Sequence, residues 1–339
     1  MDNLTIDNPD HEMICIRQDK RTGLKAVIAV HDRTLGPAIG GCRMLPYPSL
    51  GNAVSDALRL AKGMTYKCAI AGIPYGGGKA AVIADPRTEK SRELLLAIAD
   101  FVDSLGGTYI TSFDSGTTLD DLHVMGERTS HVAGYAPDFG NAADSTAIGV
   151  LHCMEEAWLS MTGQSLEGAT VAIQGVGSVG SRLASLLLAK GAKLVIADSD
   201  SSLTSQIDAV VAQPDDIHRM QADIFAPCAL GGVLNHRTIP EIRARLIVGA
   251  ANNQLEQRED AIALAERGIL YCPDYLVNAG GIVELHHQRS TCSHHALAAH
   301  LKSLAGTLRE VLIAASESGR TPLDEADTLV EARLAAARS

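Results

Sequence analysis

Period-two and period-3.6 patterns of apolar residues alternate along the first third of the chain. Glu12–Arg17 and Leu24–His31 (LKAVIAVH) read as paired strands, separated by a charged turn containing Thr22-Gly23. From Asn52 to Tyr66, residues Ala53, Ala57, Leu60, Ala61 and Met64 recur at helical spacing, so Lys67 falls at that helix's C-terminal end. Lys79–Ala84 (KAAVIA) predicts a short buried strand and Glu93–Leu105 an amphipathic helix. Tyr109–Phe113 predicts another strand with Asp114 at its tip.

The stretch from Gly134 to Asp144 is rich in breakers and weakly periodic, and reads as a hinge between two domains. A helix through Ile148–Leu159 follows. Short apolar runs then recur at Thr170–Gln174, Lys193–Ala197, Asp223–Ala226, Leu246–Gly249 and Ile269–Cys272, separated by helical stretches or polar loops. Apolar strands alternating with helices indicate an α/β fold with a parallel sheet covered on both faces. The Ala/Leu/Arg-rich segment from Ala296 to Ser339 reads as helical and is expected to pack back across the hinge. The expected division is 1–134 with a returning helix over about 310–339, a hinge at 135–144, and a second domain at 145–309.

Composition narrows the function. A length of 339 residues accommodates two cores, and a formal net charge of −11 argues against nucleic acid or an anionic membrane as partner. Seven scattered cysteines without a CxxC pair suit a reducing cytoplasm better than a disulfide framework or a zinc ribbon. No signal-like N-terminus and no apolar run near the length of a membrane helix is present, so a soluble cytoplasmic protein is expected.

The first chemical signal is Gly175-Val-Gly177-Ser178-Val179-Gly180. It follows a strand, opens a helix running on to Ala189, and has Asp198 about 20 residues downstream at the end of the next strand. That setting is the one a dinucleotide fingerprint requires. Gly175 permits the tight turn, Gly177 lets a pyrophosphate approach, and Gly180 lets helix pack on strand. The helix N-terminus offers unpaired N–H groups to phosphate. Asp198 would accept hydrogen bonds from the adenosine ribose and repel a 2′-phosphate, so NAD is expected over NADP.

The second signal is Gly76-Gly77-Gly78-Lys79, twelve residues after Lys67. A glycine triplet lets backbone approach a ligand closely. A lysine crowded there and near another cation is pushed toward its neutral form, which can act as a base near pH 7. It is not a phosphate-binding P-loop: Ile73 stands where the first glycine belongs, and Ala80 replaces the Ser/Thr.

These stretches together resemble the glutamate/leucine/phenylalanine/valine dehydrogenase family, and within it most closely the leucine dehydrogenases. The resemblance runs over nearly the whole chain. It is carried by Leu35–Arg43 (LGPAIGGCR), Ala57–Lys67 (ALRLAKGMTYK), Gly76–Lys79, Asp114–Thr118 (DSGTT) and the fingerprint, with Ala226–Gly231 (APCALG), Gly249–Leu255 (GAANNQL) and Pro273–Gly281 (PDYLVNAGG). It implies an N-terminal substrate and oligomerisation domain, a Rossmann NAD-binding domain and a cleft between them. The implied reaction is reversible oxidative deamination: an L-amino acid and NAD⁺ give a 2-oxo acid, ammonium and NADH.

The resemblance also implies roles. Lys67 would anchor the substrate carboxylate, with Gly40-Gly41 allowing close approach. Lys79 would be the general base, kept partly neutral by burial and by Lys67, and Asp114 would bind the amino group and shuttle protons. Thr146, Asn252, Asn253 and Asn278 would lie near the nicotinamide and its ribose, with Cys228 and Ala229 beside the cofactor; Cys228 has no base at local spacing to make it a nucleophile. The side-chain pocket would be walled by Ile39, Met64, Ser112, Ala133, Ile282 and Leu285. These are mostly apolar and offer no cation for a γ-carboxylate, so glutamate is not expected. A branched aliphatic side chain fits, and turnover of leucine, isoleucine and valine alike is expected because such pockets separate methylenes by only about 1–3 kcal/mol. Aromatic amino acid dehydrogenases share the scaffold, so phenylalanine or tryptophan stays open. A catalytically silent NAD-binding regulatory relative is a further alternative, against which the joint retention of Lys67, Lys79 and Asp114 argues. A homo-oligomer, dimer or octamer, is implied.

Departures from the family pattern are Phe113-Asp114-Ser115, which sets an aromatic beside the carboxylate, the short proline-free Asn141–Thr146, and Glu284, an acid near the expected pocket wall. His286, His287, Cys292, His294, His295 and His300 fit no standard zinc spacing and read as a solvated loop entering a helix; no metal is expected.

Overall fold

The structure, a computed structural model, describes residues 10–134, 141–229, 231–290 and 293–338. The chain divides into two units: Met1–Asp138 with Gln288–Ser290 and Ala332–Ser339, and Phe139–His287 with Thr291–Glu331. Residues 135–140 of the expected hinge lie outside the described residues, and 142–144 already belong to a helix.

The first unit is built on β1 (Met13–Asp19), β2 (Leu24–Asp32), β3 (Ala38–Leu45), β4 (Gly76–Ile83) and β5 (Tyr109–Phe113), with α1 (Leu50–Ala71), α2 (Arg92–Asp103) and α3 (Leu119–Gly126). The sheet order is β1-β2-β4-β3-β5. β2 pairs antiparallel with β1 and β4, whereas β3 runs parallel to β4 and β5. One face packs on α2 and α3 through Ile28, Val82, Ile98, Tyr109 and Leu122. The other receives α1 through Val27, Ala53, Ala57, Ala61 and Ala81. The small residues set α1 close to the sheet: a β-carbon on Gly77 would lie 2.1 Å from the Thr65 nitrogen. The glycine triplet is therefore strand, not a ligand-facing turn.

α1 begins at Ser49, whose hydroxyl accepts from the Asn52 N–H at 3.2 Å, and stops at Gly72 with φ +69°. It is longer than its apolar repeat predicts, and Lys67 sits one turn inside its end. Arg333 donates to the terminal carbonyls of Ala69 and Ile70 at 2.8 and 2.7 Å, and Arg338 to Asp32 at 2.5 Å. Of the tail expected to return from about 310, residues 332–339 group with this unit.

The second unit opens with α4 (Ala142–Thr162), β6 (Thr170–Gln174), α5 (Ser178–Ala189), β7 (Lys193–Ala197), α6 (Ser201–Thr204) and β8 (Val210–Val211). It continues through β9 (Ile224–Pro227), β10 (Leu246–Ile247), α7 (Asp260–Glu266), β11 (Leu270–Tyr271), α8 (Asp274–Val277), α9 (Gly280–Arg289), α10 (His294–Ser318) and α11 (Pro322–Arg338), the last residues of α9 and of α11 belonging to the first unit. Its six strands are all parallel, in the order β11-β10-β9-β6-β7-β8. Strand order reverses beside β6, so the glycine loop leaves β6 at the switch point where such sheets bind ligands.

Candidate active site

β3, β4 and β5 run parallel and deliver their chemistry together. On β4, Gly77, Lys79 and Ala81 alternate onto the face that α1 covers. Lys79 is 6% exposed. Its ammonium donates to Oδ2 of Asp114, which follows the end of β5. The same oxygen accepts from Arg43 Nε of β3 at 3.2 Å, and Oδ1 accepts from the Ser115 N–H at 2.7 Å.

The Asp114 loop is pinned to β3 by its own sequence. Thr117 Oγ1 accepts from the Asp114 N–H at 2.9 Å and donates to the Cys42 carbonyl at 2.7 Å. Gly116 has φ +83°, and a β-carbon there would lie 2.0 Å from the Met44 carbonyl oxygen. Thr118 then caps α3 in a reciprocal box with Asp121. The Asp-x-Gly-Thr pattern thus builds a turn that aims one carboxylate.

Burial pushes the Lys79 amine down, toward its neutral form; Asp114 opposes that push and Arg43 adds to it. Arg43 is a repelling cation that the sequence did not point to. Burial would raise the Asp114 carboxyl, but Lys79 and Arg43 outweigh it and bring it down to about 2. A β-carbon on Gly41 would lie 3.3 Å from Lys79 Nζ and 2.7 Å from the Asp114 β-carbon, so the glycine makes room for the pair itself. Gly40 would meet the Gly78 carbonyl oxygen at 1.8 Å, and its own carbonyl accepts from the buried Tyr109 hydroxyl at 2.7 Å.

Lys67 and Met64, three residues apart on one face of α1, are half-buried, and Met64 lies 3.4 Å from where a Gly40 β-carbon would sit. Ile39, Ser112 and Ala133 are all covered. Phe113 points away to solvent at 37% exposure. Sequence reasoning passed over Arg43, Asp56, Tyr47 and Tyr109. The signal for Arg43 was its place two residues beyond Gly41 on one strand, within otherwise uncharged residues.

In the second unit, Gly175 has φ +90°, and a β-carbon there would lie 2.7 Å from that of Ala229. Gly180 would meet the Gly175 carbonyl oxygen at 2.0 Å, and Cys228 packs against it. Gly177, by contrast, faces open space and caps α5 without any side-chain hydrogen bond. The first-turn N–H groups of Ser178, Val179 and Gly180 are thus available to an anion. Asp198 Oδ2 accepts from the Val176 N–H at 2.8 Å and Oδ1 from the Asp200 N–H at 2.9 Å, so this acid also fixes the glycine loop.

Asn253 holds φ +51°, and its carbonyl accepts from the Gly232 N–H at 2.7 Å. The fully buried Gln254 amide donates to the Gly249 and Ala251 carbonyls at 2.8 and 3.0 Å, shaping this loop. Asn278 donates to the Asn252 side chain at 3.0 Å, and its own Oδ1 is buried without a partner, as an acceptor waiting for a ligand donor would be. These features fit a dinucleotide. Thr146 donates to the Ala142 carbonyl at 2.7 Å and keeps its oxygen as an acceptor. Cys228 is pushed up to about 11 by burial, consistent with a packing role.

One expectation is corrected in this unit, the solvated loop at His286 and His287. Glu284 is 1% exposed, turned inward on α9, and accepts from the Ser145 hydroxyl. Its neighbours Ile282 and Leu285 are buried too. His286 and His287 lie within α9, not in a solvated loop, and His287 Nε2 meets His300 Nδ1 at 3.1 Å. Residues 291–292 lie outside the described residues. Among the described residues no cluster of His, Cys, Asp or Glu could hold a metal, and no helix is long and apolar enough to cross a membrane.

Comparison with known proteins matches residues 11–131 to the Glu/Leu/Phe/Val dehydrogenase dimerisation domain, and 141–207 with 201–337 to the glutamate/leucine/phenylalanine/valine dehydrogenase model. A leucine dehydrogenase from Bacillus cereus is 40% identical, covering 97% of this chain and 92% of its own. A valine dehydrogenase from Streptomyces albus is 44% identical over 98% and 94%. The crystal structure of L-tryptophan dehydrogenase from Nostoc punctiforme superimposes with a TM-score of 0.85 at 39% identity, covering 97% of both chains.

Proposed function

The chain belongs to the Glu/Leu/Phe/Val dehydrogenase family, and on that premise we propose that its substrate is a branched-chain L-amino acid, leucine with valine and isoleucine beside it. It is an amino acid dehydrogenase, an oxidoreductase acting on CH–NH₂ donors with NAD as cofactor. The observation that carries the residue assignment is the buried junction of Lys79 and Asp114, reached also by Arg43.

Gly175, Gly177, Ser178, Val179, Gly180 and Asp198 would hold the adenosine and pyrophosphate of NAD, with Thr146, Cys228, Ala229, Asn252, Asn253 and Asn278 about the nicotinamide end. When bound, the cofactor supplies the hydride acceptor. Lys67 anchors the substrate carboxylate through its charge. Asp114, kept ionised by its two cationic neighbours, accepts hydrogen bonds from the substrate amino group. Lys79 in its neutral form takes the proton of the water that attacks the substrate's imine carbon. The proton now on Lys79 is relayed through Asp114 to the carbinolamine nitrogen, which leaves as ammonia while the carbinolamine hydroxyl gives its proton back to Lys79.

The apolar Ile39, Met64, Ala133, Ile282 and Leu285 support an aliphatic side chain. A second reading, an aromatic substrate, is favoured by the small Ser112 and Ala133 and by the tryptophan dehydrogenase likeness. We assign the active form to a homo-oligomer, dimer or octamer, built through residues 11–131. Free thiols at all six described cysteines support a reducing cytoplasm.

Reductive amination with ammonium and NADH distinguishes the substrates. 4-Methyl-2-oxopentanoate and 3-methyl-2-oxobutanoate should outrun phenylpyruvate and indolepyruvate, and 2-oxoglutarate should be nearly inert because a second carboxylate would be buried unpaired. Faster turnover of either aromatic oxo acid than of the leucine oxo acid would replace the first reading with the second.

A further inference from the structure

We propose that Arg43 is a positioning residue: it holds the Asp114 carboxylate and serves as its counter-charge when Lys79 gives up a proton. The inference rests on Lys79 being the base assigned above, and deepens that reading.

A lysine paired alone with a buried carboxylate is a poor base. Once it lost its proton, the carboxylate would remain charged, buried and unpaired, and that cost would return the proton to the amine. Arg43 removes the difficulty. Its guanidinium is charged at any working pH, and its Nε shares with Lys79 the same Asp114 oxygen. When the lysine is neutral, an Arg43–Asp114 pair remains in place of an orphaned carboxylate.

The guanidinium does not depend on Asp114 for its position. Its Nη1 donates to Asp56 Oδ2 of α1 at 3.1 Å. That oxygen also accepts from the Tyr47 hydroxyl at 2.7 Å, while Asp56 Oδ1 accepts from Arg59 at 2.8 Å. Arg43 therefore spans strand and helix, with one carboxylate serving as anchor and the other as the working group. Side-chain exposures of 21% for Arg43, 17% for Asp56 and 19% for Asp114 keep the arrangement sheltered, where charge interactions are strong. The other titratable groups about Lys79 do not supply this function. Cys42 of β3 is neutral, its thiol pushed up to about 12 by burial, and Lys67 on α1 is the carboxylate anchor proposed above.

The test is the pH profile of kcat/KM for oxidative deamination by the full-length enzyme, whose acid limb reports the free enzyme's base. In Arg43→Met the whole charge of Asp114 falls on Lys79, so the limb should move to higher pH by about one unit or more. Arg43→Lys, which keeps a cation, should move it less than half as far. Arg43→Gln reads the same way as Arg43→Met should the methionine variant fail to fold. A purely structural role would lower kcat alike at every pH, so an unmoved or acid-shifted limb overturns the proposal. Lys79→Ala run in parallel separates the two ideas: if it keeps more than about a tenth of wild-type kcat, the assignment of the base fails, whatever Arg43 does.

Discussion

Lys79 combines two properties that rarely coincide: a sequence position marked by three glycines, and a side chain almost wholly removed from water. Lys79→Ala should lower kcat by roughly 10²–10⁴-fold while leaving NADH affinity, read by fluorescence titration, unchanged; loss of NADH binding would mean a folding defect instead. Lys67→Ala should act mainly on substrate KM, because a carboxylate anchor works in the ground state as well. Asp114 makes a separate prediction. Its carboxyl, at about 2 against an ordinary 3.8, binds its proton less tightly folded than unfolded. Its contribution is complete above about pH 4 and is lost as pH falls toward 2, an effect of order 2 kcal/mol. Urea midpoints for Asp114→Asn should therefore flatten across that interval, and an unaltered acid slope would refute the assignment. Lys79 and Asp114 were legible in the sequence because glycines and a DxGT turn surround them. Arg43 was less so: its place two residues beyond Gly41 in an uncharged run is a local cue to its presence, but its importance lies in partners 13 and 71 residues away.

At the scale of elements, the glycine triplet illustrates how packing overrides local reading. Three consecutive glycines have the composition of a loop, yet they begin β4, because the end of β2, α1 and the Tyr109 ring crowd Gly76, Gly77 and Gly78 in turn too closely for a side chain. A β-carbon on Gly77 would meet Thr65 N at 2.1 Å and the Ala61 carbonyl oxygen at 2.3 Å, both of them backbone of α1. Gly77→Ala should thus destabilise the protein by about 3 kcal/mol, since the helix has to move as a body. Gly63→Ala is the control: it lies inside the same helix with nothing within 4 Å of its β-carbon, and should stabilise by about 0.5–1 kcal/mol. Equal effects in denaturant unfolding would undo the packing argument. Strong periodicity placed β2, β5, β6, β7 and α5 correctly. It failed for β8, only two residues long and exposed, for β3, whose glycines break the apolar run, and for His286 and His287, whose polarity concealed the buried side of α9.

On the proposed assignment, the reacting pair Lys79 and Asp114 and the glycine loop with Asp198 belong to separate units, each with its own sheet. Substitutions in the two sets should therefore act independently on free energy. Asp198 is the sharpest probe of the cofactor side because it has two jobs. On the proposed assignment its charge opposes a 2′-phosphate, and its oxygens hold the Val176 and Asp200 N–H groups, which fixes the loop proposed to receive the pyrophosphate. Wild-type kcat/KM should strongly favour NAD over NADP. Asp198→Ala should narrow that ratio and also weaken NADH binding by about tenfold or more, since a hydrogen bond to a charged acceptor contributes about 1.5–3 kcal/mol. Adding Lys79→Ala should leave the NADH affinity of Asp198→Ala unchanged. Comparable wild-type values for both cofactors would refute the charge argument. A narrowed ratio with undiminished NADH affinity would refute the loop argument alone, because a residue that only repels the extra phosphate has no reason to matter for the cofactor that lacks it.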